Sequence, residues 1–275
     1  MKNCKPAVWR ALILIVILVH SAQAQSFKFQ NMPQDQTQYE IRFLKPNFDG
    51  DADLSFFTGV YDLTINVPAT PTVNVVLSVP YGNYSYEGES ESGIGNLYVG
   101  IQNRAMMDHG SGTSYALGLF LPTTSENDVI VQSVGIYTNA YEWQKFIPNT
   151  LTVYGNFSYI KKQANGPLFG IEFGPNVWIP TEDGDSRDTD FLLHYGVKAG
   201  LGAGKVTFLA EFTGVAILTG DADSFDERTL HALAVGARLN LDSVAPSIFY
   251  EAPLDDDLSY ILDNVIGFKL EKPLN

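Results

Sequence analysis

The sequence predicts an all-β protein, a single antiparallel transmembrane β-barrel of about 12 strands with short periplasmic turns and longer acidic extracellular loops. Three observations carry that expectation: an export signal at the N-terminus, long segments of alternating polarity, and connections that alternate between short and long.

Residues 1–24 have the form of a cleaved secretory signal. Lys2, Lys5 and Arg10 supply the positive start, 11–19 the apolar run, and Ser21-Ala22-Gln23-Ala24 the small-residue cleavage site. The apolar run is about nine residues, well short of the roughly 20 that span a bilayer as a helix. The chain therefore divides into a leader, 1–24, and one domain, 25–275. The single cysteine, Cys4, leaves with the leader. An exported domain without disulfides must draw its stability from another source, such as an extensive hydrogen-bonded sheet.

Composition excludes several classes. The 275 residues carry 31 acidic and 17 basic side chains, a net charge of −14. Losing Lys2, Lys5 and Arg10 leaves 14 basic groups and a net charge of −17. Such a surface repels nucleic acid, so no nucleic-acid partner is expected. Charged residues are only 17% and aromatics 12%, too apolar a mixture for a disordered acidic chain.

The strands announce themselves by their period. In 150–161, Leu151, Val153, Gly155, Phe157 and Tyr159 share one face, with Thr152, Asn156 and Ser158 opposite. In 168–179 the apolar face is Phe169, Ile171, Phe173, Val177 and Ile179, and Glu172 is opposite. Phe191, Leu193, Tyr195 and Val197 alternate with His194, Gly196 and Lys198. Leu233, Val235 and Ala237 alternate with Ala234, Gly236 and Arg238, and Ile266, Phe268 and Leu270 with Gly267, Lys269 and Glu271. Soluble sheets alternate too, but these runs reach about 11 to 14 residues, nearer the 9 to 11 that cross a bilayer than the 5 to 6 of soluble strands.

Connections support the same reading. Residues 68–71, 106–112, 163–167, 202–205 and 243–246 form the tight set, and 47–53, 81–92, 122–149, 180–189, 220–227 and 253–259 the longer acidic set. The two sets alternate along the chain, as periplasmic turns and outer loops must. Aromatics near strand ends (Phe56, Phe57, Tyr61, Tyr137, Tyr141, Trp143, Trp178, Phe249 and Tyr250) fit an interfacial girdle.

With the apolar face towards lipid, the other face lines the lumen and gathers Asp62, Arg104, Glu172, His194, Lys198, Glu211, Arg238 and Lys269. These are the selectivity candidates. Both signs are present, so they either pair into a network that fills the lumen or line a narrow polar path. Twelve strands lie between the side-chain-filled barrels of about eight and the water channels of 16 to 18.

No metal site or cofactor is expected. The acidic loop at Asp49, Asp51 and Asp53 begins like a calcium loop, yet Leu54 holds the required glycine position and Val60 the closing glutamate position. The other acidic clusters, Glu87, Glu89 and Glu91, then Asp183, Asp185 and Asp188, then Asp255, Asp256 and Asp257, make a solvated rim that disfavours anions at the mouth. Catalysis is not expected either: His109 and Ser111 have the spacing of the outer-membrane phospholipase A pair, but Gly112 and Thr113 replace the asparagine and glycine that should follow.

Gly93-Ile94-Gly95-Asn96-Leu97-Tyr98-Val99-Gly100 and Tyr115-Ala116-Leu117-Gly118-Leu119-Phe120-Leu121-Pro122-Thr123 resemble the Gly-x-Gly-Asp and Gly-x-x-x-Pro-Thr-Gly strands of the MetA-pathway phenol-degradation proteins. Asn96 stands in place of the family's aspartate and Thr124 in place of its last glycine. The resemblance implies a transporter-like outer-membrane barrel passing small solutes, hydrophobic or aromatic ones included.

Three functions follow for a barrel in the outer membrane of a Gram-negative cell. The first is a narrow channel or transporter for small solutes. The second is a structural or adhesive barrel with a closed lumen. The third, a lipid hydrolase, has the least support. Outer-membrane lipid and lipopolysaccharide are the expected surroundings, and the sequence leaves the oligomeric state open.

Overall fold

Alternation of side chains to opposite faces leaves a strand's hydrogen-bonding groups pointing sideways, and in a bilayer these groups must all be paired, which only a closed ring achieves. The computed structural model describes residues 26–30, 35–50, 54–106, 110–163, 165–182, 188–219, 228–241 and 243–274. The proposed leader with Cys4, together with Asp51, Asp53, His109, Asp183, Asp185 and the 220–227 loop, lies outside them.

Among the described residues the strands are β1 (Gln38–Phe48), β2 (Gly59–Pro68), β3 (Val73–Tyr86), β4 (Glu89–Ile94), β5 (Leu97–Met106), β6 (Ser111–Leu121), β7 (Thr150–Lys162), β8 (Pro167–Pro180), β9 (Asp190–Ala203), β10 (Val206–Ile217), β11 (Thr229–Leu239), β12 (Ala245–Pro253) and β13 (Leu262–Pro273). Sequential strands pair antiparallel, and β1 pairs with β13 from Gln38 opposite Pro273 to Phe48 opposite Leu262, which closes the ring. Strands β4 and β5 both pair with β3 and form one stave broken at Gly95-Asn96. The ring is thus a closed antiparallel barrel of 12 staves.

The outer face is apolar. Ile41, Leu77, Ile101, Leu117, Phe169, Val197, Phe208, Ile248 and Phe268 are all exposed, while the interior side chains include Asp62, Gln102, Glu172, His194, Glu211, Arg238 and Lys269, each buried. A water-soluble protein has the opposite arrangement. Greasy staves facing outward around a polar interior are what lipid requires.

Three expectations need correction. Residues 81–92 are not a long loop: β3 runs to Tyr86 and β4 starts at Glu89, leaving a tight turn at Glu87 (φ 48°) and Gly88 (φ 93°). Beyond the bilayer both faces of this hairpin meet water, so Glu89, Ser90, Glu91 and Ser92 show no polarity period. Residues 122–149 are not an outer loop either. They turn inward as α1 (Val129–Thr138) and a 3-10 turn (Ala140–Lys145). We call this segment L3. A short helix α2 (Asp256–Ser259) sits in the last outer loop.

The third correction concerns the girdle. Phe56, Phe57 and Tyr250 are exposed as expected, but Tyr141 and Phe249 are buried. Trp178 meets Trp143 of L3 at 5.1 Å between ring centroids, and both pack with Tyr141, Leu192 and Val215. Those aromatics serve the inward-folded loop.

L3 is sewn to the broken stave. Where Leu121 ends β6, the chain leaves the wall, and Asn96, fully buried, collects the departing backbone. Its Nδ2 donates to Gln144 O (2.9 Å) and Ile147 O (2.7 Å), and its Oδ1 accepts from the N–H groups of Thr123 and Thr124 (both 3.0 Å). Its own N–H donates to Lys145 O at 2.6 Å. Gly95 must be a glycine because a Cβ there would lie 2.3 Å from that same carbonyl. Inside, Val131 and Val134 are buried, and Gly135 lies against the ring of Phe146, itself fully buried.

Candidate functional site: the occupied lumen

Two separate pieces of chain occupy the lumen. Residues 26–30 form one, and L3, folding in from the outer mouth, forms the other. The first piece is held by wall carboxylates. Glu211 accepts from Ser26 Oγ (2.7 Å), from the N–H of Phe27 (3.0 Å) and from the N–H of Lys28 (2.9 Å). Glu172 accepts from the N–H of Gln30 at 3.1 Å, and Glu251 pairs with Lys28 Nζ at 2.9 Å. Lys269 Nζ donates to Ser26 O at 3.0 Å. Phe27 stacks on Phe249 with centroids 4.8 Å apart, and Lys198 Nζ stands 5.2 Å over the ring of Phe29.

The second piece is held mainly by charge. Arg42 pairs with Asp62 at 3.0 Å and with Glu142, while Lys145 pairs with Asp62 and, at 3.0 Å, with Glu142. Tyr141 Oη donates to Glu172 at 3.1 Å, so Glu172 holds both inserts. Lys28 Nζ also donates to Asn139 Oδ1 at 3.1 Å, which ties one insert to the other.

Lower in the barrel, Arg238 pairs with Glu271 at 2.6 Å, and Lys269 with Glu40 at 3.0 Å and Glu271 at 3.2 Å. Among the described residues, the cations Lys28, Arg42, Lys145, Lys198, Arg238 and Lys269, with Lys162 near Arg238 and Lys198, thus face the carboxylates Glu40, Asp62, Glu142, Glu172, Glu211, Glu251 and Glu271. Near balance makes burial of so much charge tolerable. The space left between them is a cavity of about 70 Å³, with Tyr98, Phe120 and Tyr154 on one side and Arg42, Asp62 and Lys145 on another. It has room for a few water molecules.

Of the eight residues predicted from sequence, seven lie within this network. Asp62 anchors L3, Glu172 and Glu211 anchor residues 26–30, and Lys198, Arg238 and Lys269 surround them. His194 stacks on Tyr154 at 4.8 Å. Arg104 stands apart: it pairs with Asp35 and donates to Pro71 O at 3.1 Å, at the periplasmic rim. The sequence-derived candidates did not include Lys28, Glu40, Arg42, Glu142, Lys145, Glu251 and Glu271. Glu40, Arg42 and Glu251 share the lumen-facing parity of β1 and β12 and were open to the same alternation argument. Ser111 opens β6 at the periplasmic end, and its supposed partner His109 is outside the described residues.

Burial alone would raise the Glu142 carboxyl, but Arg42 and Lys145 outweigh it and hold the group well below the usual carboxylate range. A depressed carboxyl stabilises the folded arrangement above its unfolded value and loses that contribution as pH falls towards the folded one. L3 is therefore expected to stay locked from neutral pH down to the ordinary value of 4.5 and to loosen below it. Limited proteolysis of L3 against pH checks this: cleavage within 122–149 should increase only in the acid range, and Glu142→Gln should reduce the dependence to the part that Asp62 carries. Cleavage that increases towards alkaline pH would contradict it.

A closed 12-stave barrel with a lipid-facing exterior belongs to the outer-membrane β-barrel class, and comparison with solved structures agrees. The chain is similar to the COG4313 outer membrane channel from Pseudomonas putida F1, with a TM-score of 0.62 and 10% identity over 92% of this chain and 100% of that one. It is also similar to the NanC porin, with a TM-score of 0.50 and 10% identity over 86% of this chain and 100% of that one. These likenesses show the fold, and the apolar exterior around a polar lumen is what sets such a barrel in a membrane. No family model and no curated protein sequence matches the chain, so the phenol-degradation resemblance stands on its short motifs alone. Those motifs coincide with the L3 hinge at Gly95, Asn96, Thr123 and Thr124.

Proposed function

We propose that the protein is a gated outer-membrane channel for small solutes, hydrophobic or aromatic ones among them, working by diffusion and without a cofactor. One observation carries this reading. The lumen is filled by two tethered inserts held through hydrogen bonds and ion pairs, and such bonds exchange with water when an insert moves. A wall of 12 staves then encloses more space than its own side chains fill. The aromatic side of the residual cavity, Tyr98, Phe120 and Tyr154, suits apolar or aromatic solutes. The apolar exterior faces outer-membrane lipid, with lipopolysaccharide in the outer leaflet.

A second reading, a closed structural or adhesive barrel, draws support from the near balance of lumen charges. Planar-bilayer recording separates the two. A channel gives discrete steps that grow when either insert is displaced, whereas a folded barrel that stays silent after both are displaced supports the closed structure.

A further inference from the structure

The wall that grips residues 26–30 has the construction of a ligand groove. Resting on the channel reading above, we propose that this groove receives organic ammonium ions with an apolar body, and that the chain's own N-terminal segment occupies it as an internal stand-in.

Glu172, Glu211 and Glu251 come from β8, β10 and β12. Gly196 of β9 lies opposite Glu172, and Ala234 of β11 lies opposite both Glu211 and Glu251. Glu211 and Glu251 lie about 10 Å apart across Ala234, while Glu172 lies one register step along, with Gly196 and Lys198 of β9 between it and Glu211. Gly196 leaves room for a ring, since a Cβ there would come within 2.6 Å of the Phe29 ring, and Phe27 lies on Phe249, whose own ring is fitted against Gly267. Each of the three carboxylates is at most 5% exposed.

What the groove holds indicates what it recognises. Every bond from residues 26–30 to these carboxylates comes from a donor: a hydroxyl, three N–H groups and one ammonium. A buried carboxylate left without donors is strongly disfavoured, so an entrant that replaces the segment must itself bring N–H groups and positive charge. Lys198, opposite Glu211 in the register, and Lys269, on the Ser26 carbonyl, stand beside the three carboxylates, so displacing Lys28 leaves one carboxylate in excess. A carboxylate solute would be repelled, and an uncharged one would not restore the lost ammonium.

His194 gives an independent indication. It lies on β9, two residues from Gly196, is 1% exposed, and its Nδ1 has no hydrogen-bond partner. Since Nε2 faces Asn156 Oδ1 at 3.3 Å, an acceptor, Nε2 carries the proton and Nδ1 the unused lone pair. That is a buried acceptor left unused two residues along β9 from Gly196. Outside, Glu182, Asp188 and Asp190 edge the mouth and draw cations towards it.

Phenethylamine, phenethyl alcohol and phenylacetate share a ring and differ in charge. Titrated into the detergent-solubilised mature protein, with Trp143 and Trp178 fluorescence as readout, the amine should bind about tenfold tighter than the alcohol, the scale of one charge-assisted hydrogen bond. Phenylacetate should be weakest. Glu251→Gln should weaken amine binding by a similar factor. Lys28→Met removes the internal ammonium that competes for Glu251 and should strengthen it, a gain that a merely structural Lys28 would not give. If Glu251→Gln does not fold, Lys28→Met carries the test. Equal binding of all three probes, or weaker amine binding in Lys28→Met, overturns the ligand class. Flux of the same probes into proteoliposomes is read separately: amine binding without flux keeps the groove and removes the channel reading, while equal flux of all three keeps the channel and removes the preference.

Discussion

Deleting residues 26–30 is expected to raise single-channel conductance several-fold, because it removes one of the two inserts from a 12-stave ring while L3 remains. The wall should survive the deletion, since β1 pairs with β13 and β2 along its own length. The segment's removal exposes Glu172, Glu211 and Glu251 to entering water, so the enlarged current should favour cations. Far-UV circular dichroism and heat-modifiable migration would confirm that the barrel still closes. A folded variant with unchanged conductance would mean that the segment does not obstruct the path.

Asn96→Asp is expected to release L3 despite being nearly isosteric. The amide donates to two carbonyls and accepts from two backbone N–H groups. An aspartate keeps the acceptor role, loses both donors and sets a negative charge against Gln144 O and Ile147 O in a fully buried site. Stranding two buried carbonyls and crowding them with charge should cost about 2–5 kcal/mol. Limited proteolysis reads the outcome: cleavage within 122–149 should appear in the variant under conditions where the wild type resists, together with larger and more frequent openings. Wild-type protease resistance in Asn96→Asp would contradict the hinge. The family motif that the sequence resembles has aspartate here, so this position separates local chemistry from resemblance.

Much of the wall was legible because its environment repeats with the strand. Lipid and lumen alternate every residue, and Phe169, Ile171 and Phe173 against Gly170, Glu172 and Gly174 record that directly. The signal fades where both faces are wet, as at β4, and where the chain leaves the wall. Helix α1 was hidden for another reason: Val129, Ile130, Val131, Val134, Ile136 and Thr138 are β-branched, a composition that favours strands. It is helical because its inner face, Val131, Val134 and Gly135, is buried and packs against Gly82 and Phe146. The lumen charges on the strands followed from parity, whereas their partners did not. Lys28 and Glu251 are far apart in sequence, as are Arg42 and Glu142, and neither pairing leaves a local trace.

Amide hydrogen exchange in the N-terminal segment tests the central claim most directly. If residues 26–30 sit inside the ring with their N–H groups on Glu211 and Glu172, the amides of Phe27, Lys28 and Gln30 should be protected in the folded protein and lose protection in Glu211→Gln. Exchange of those amides at the rate of a free peptide in the wild-type barrel would show that the lumen is not occupied as described.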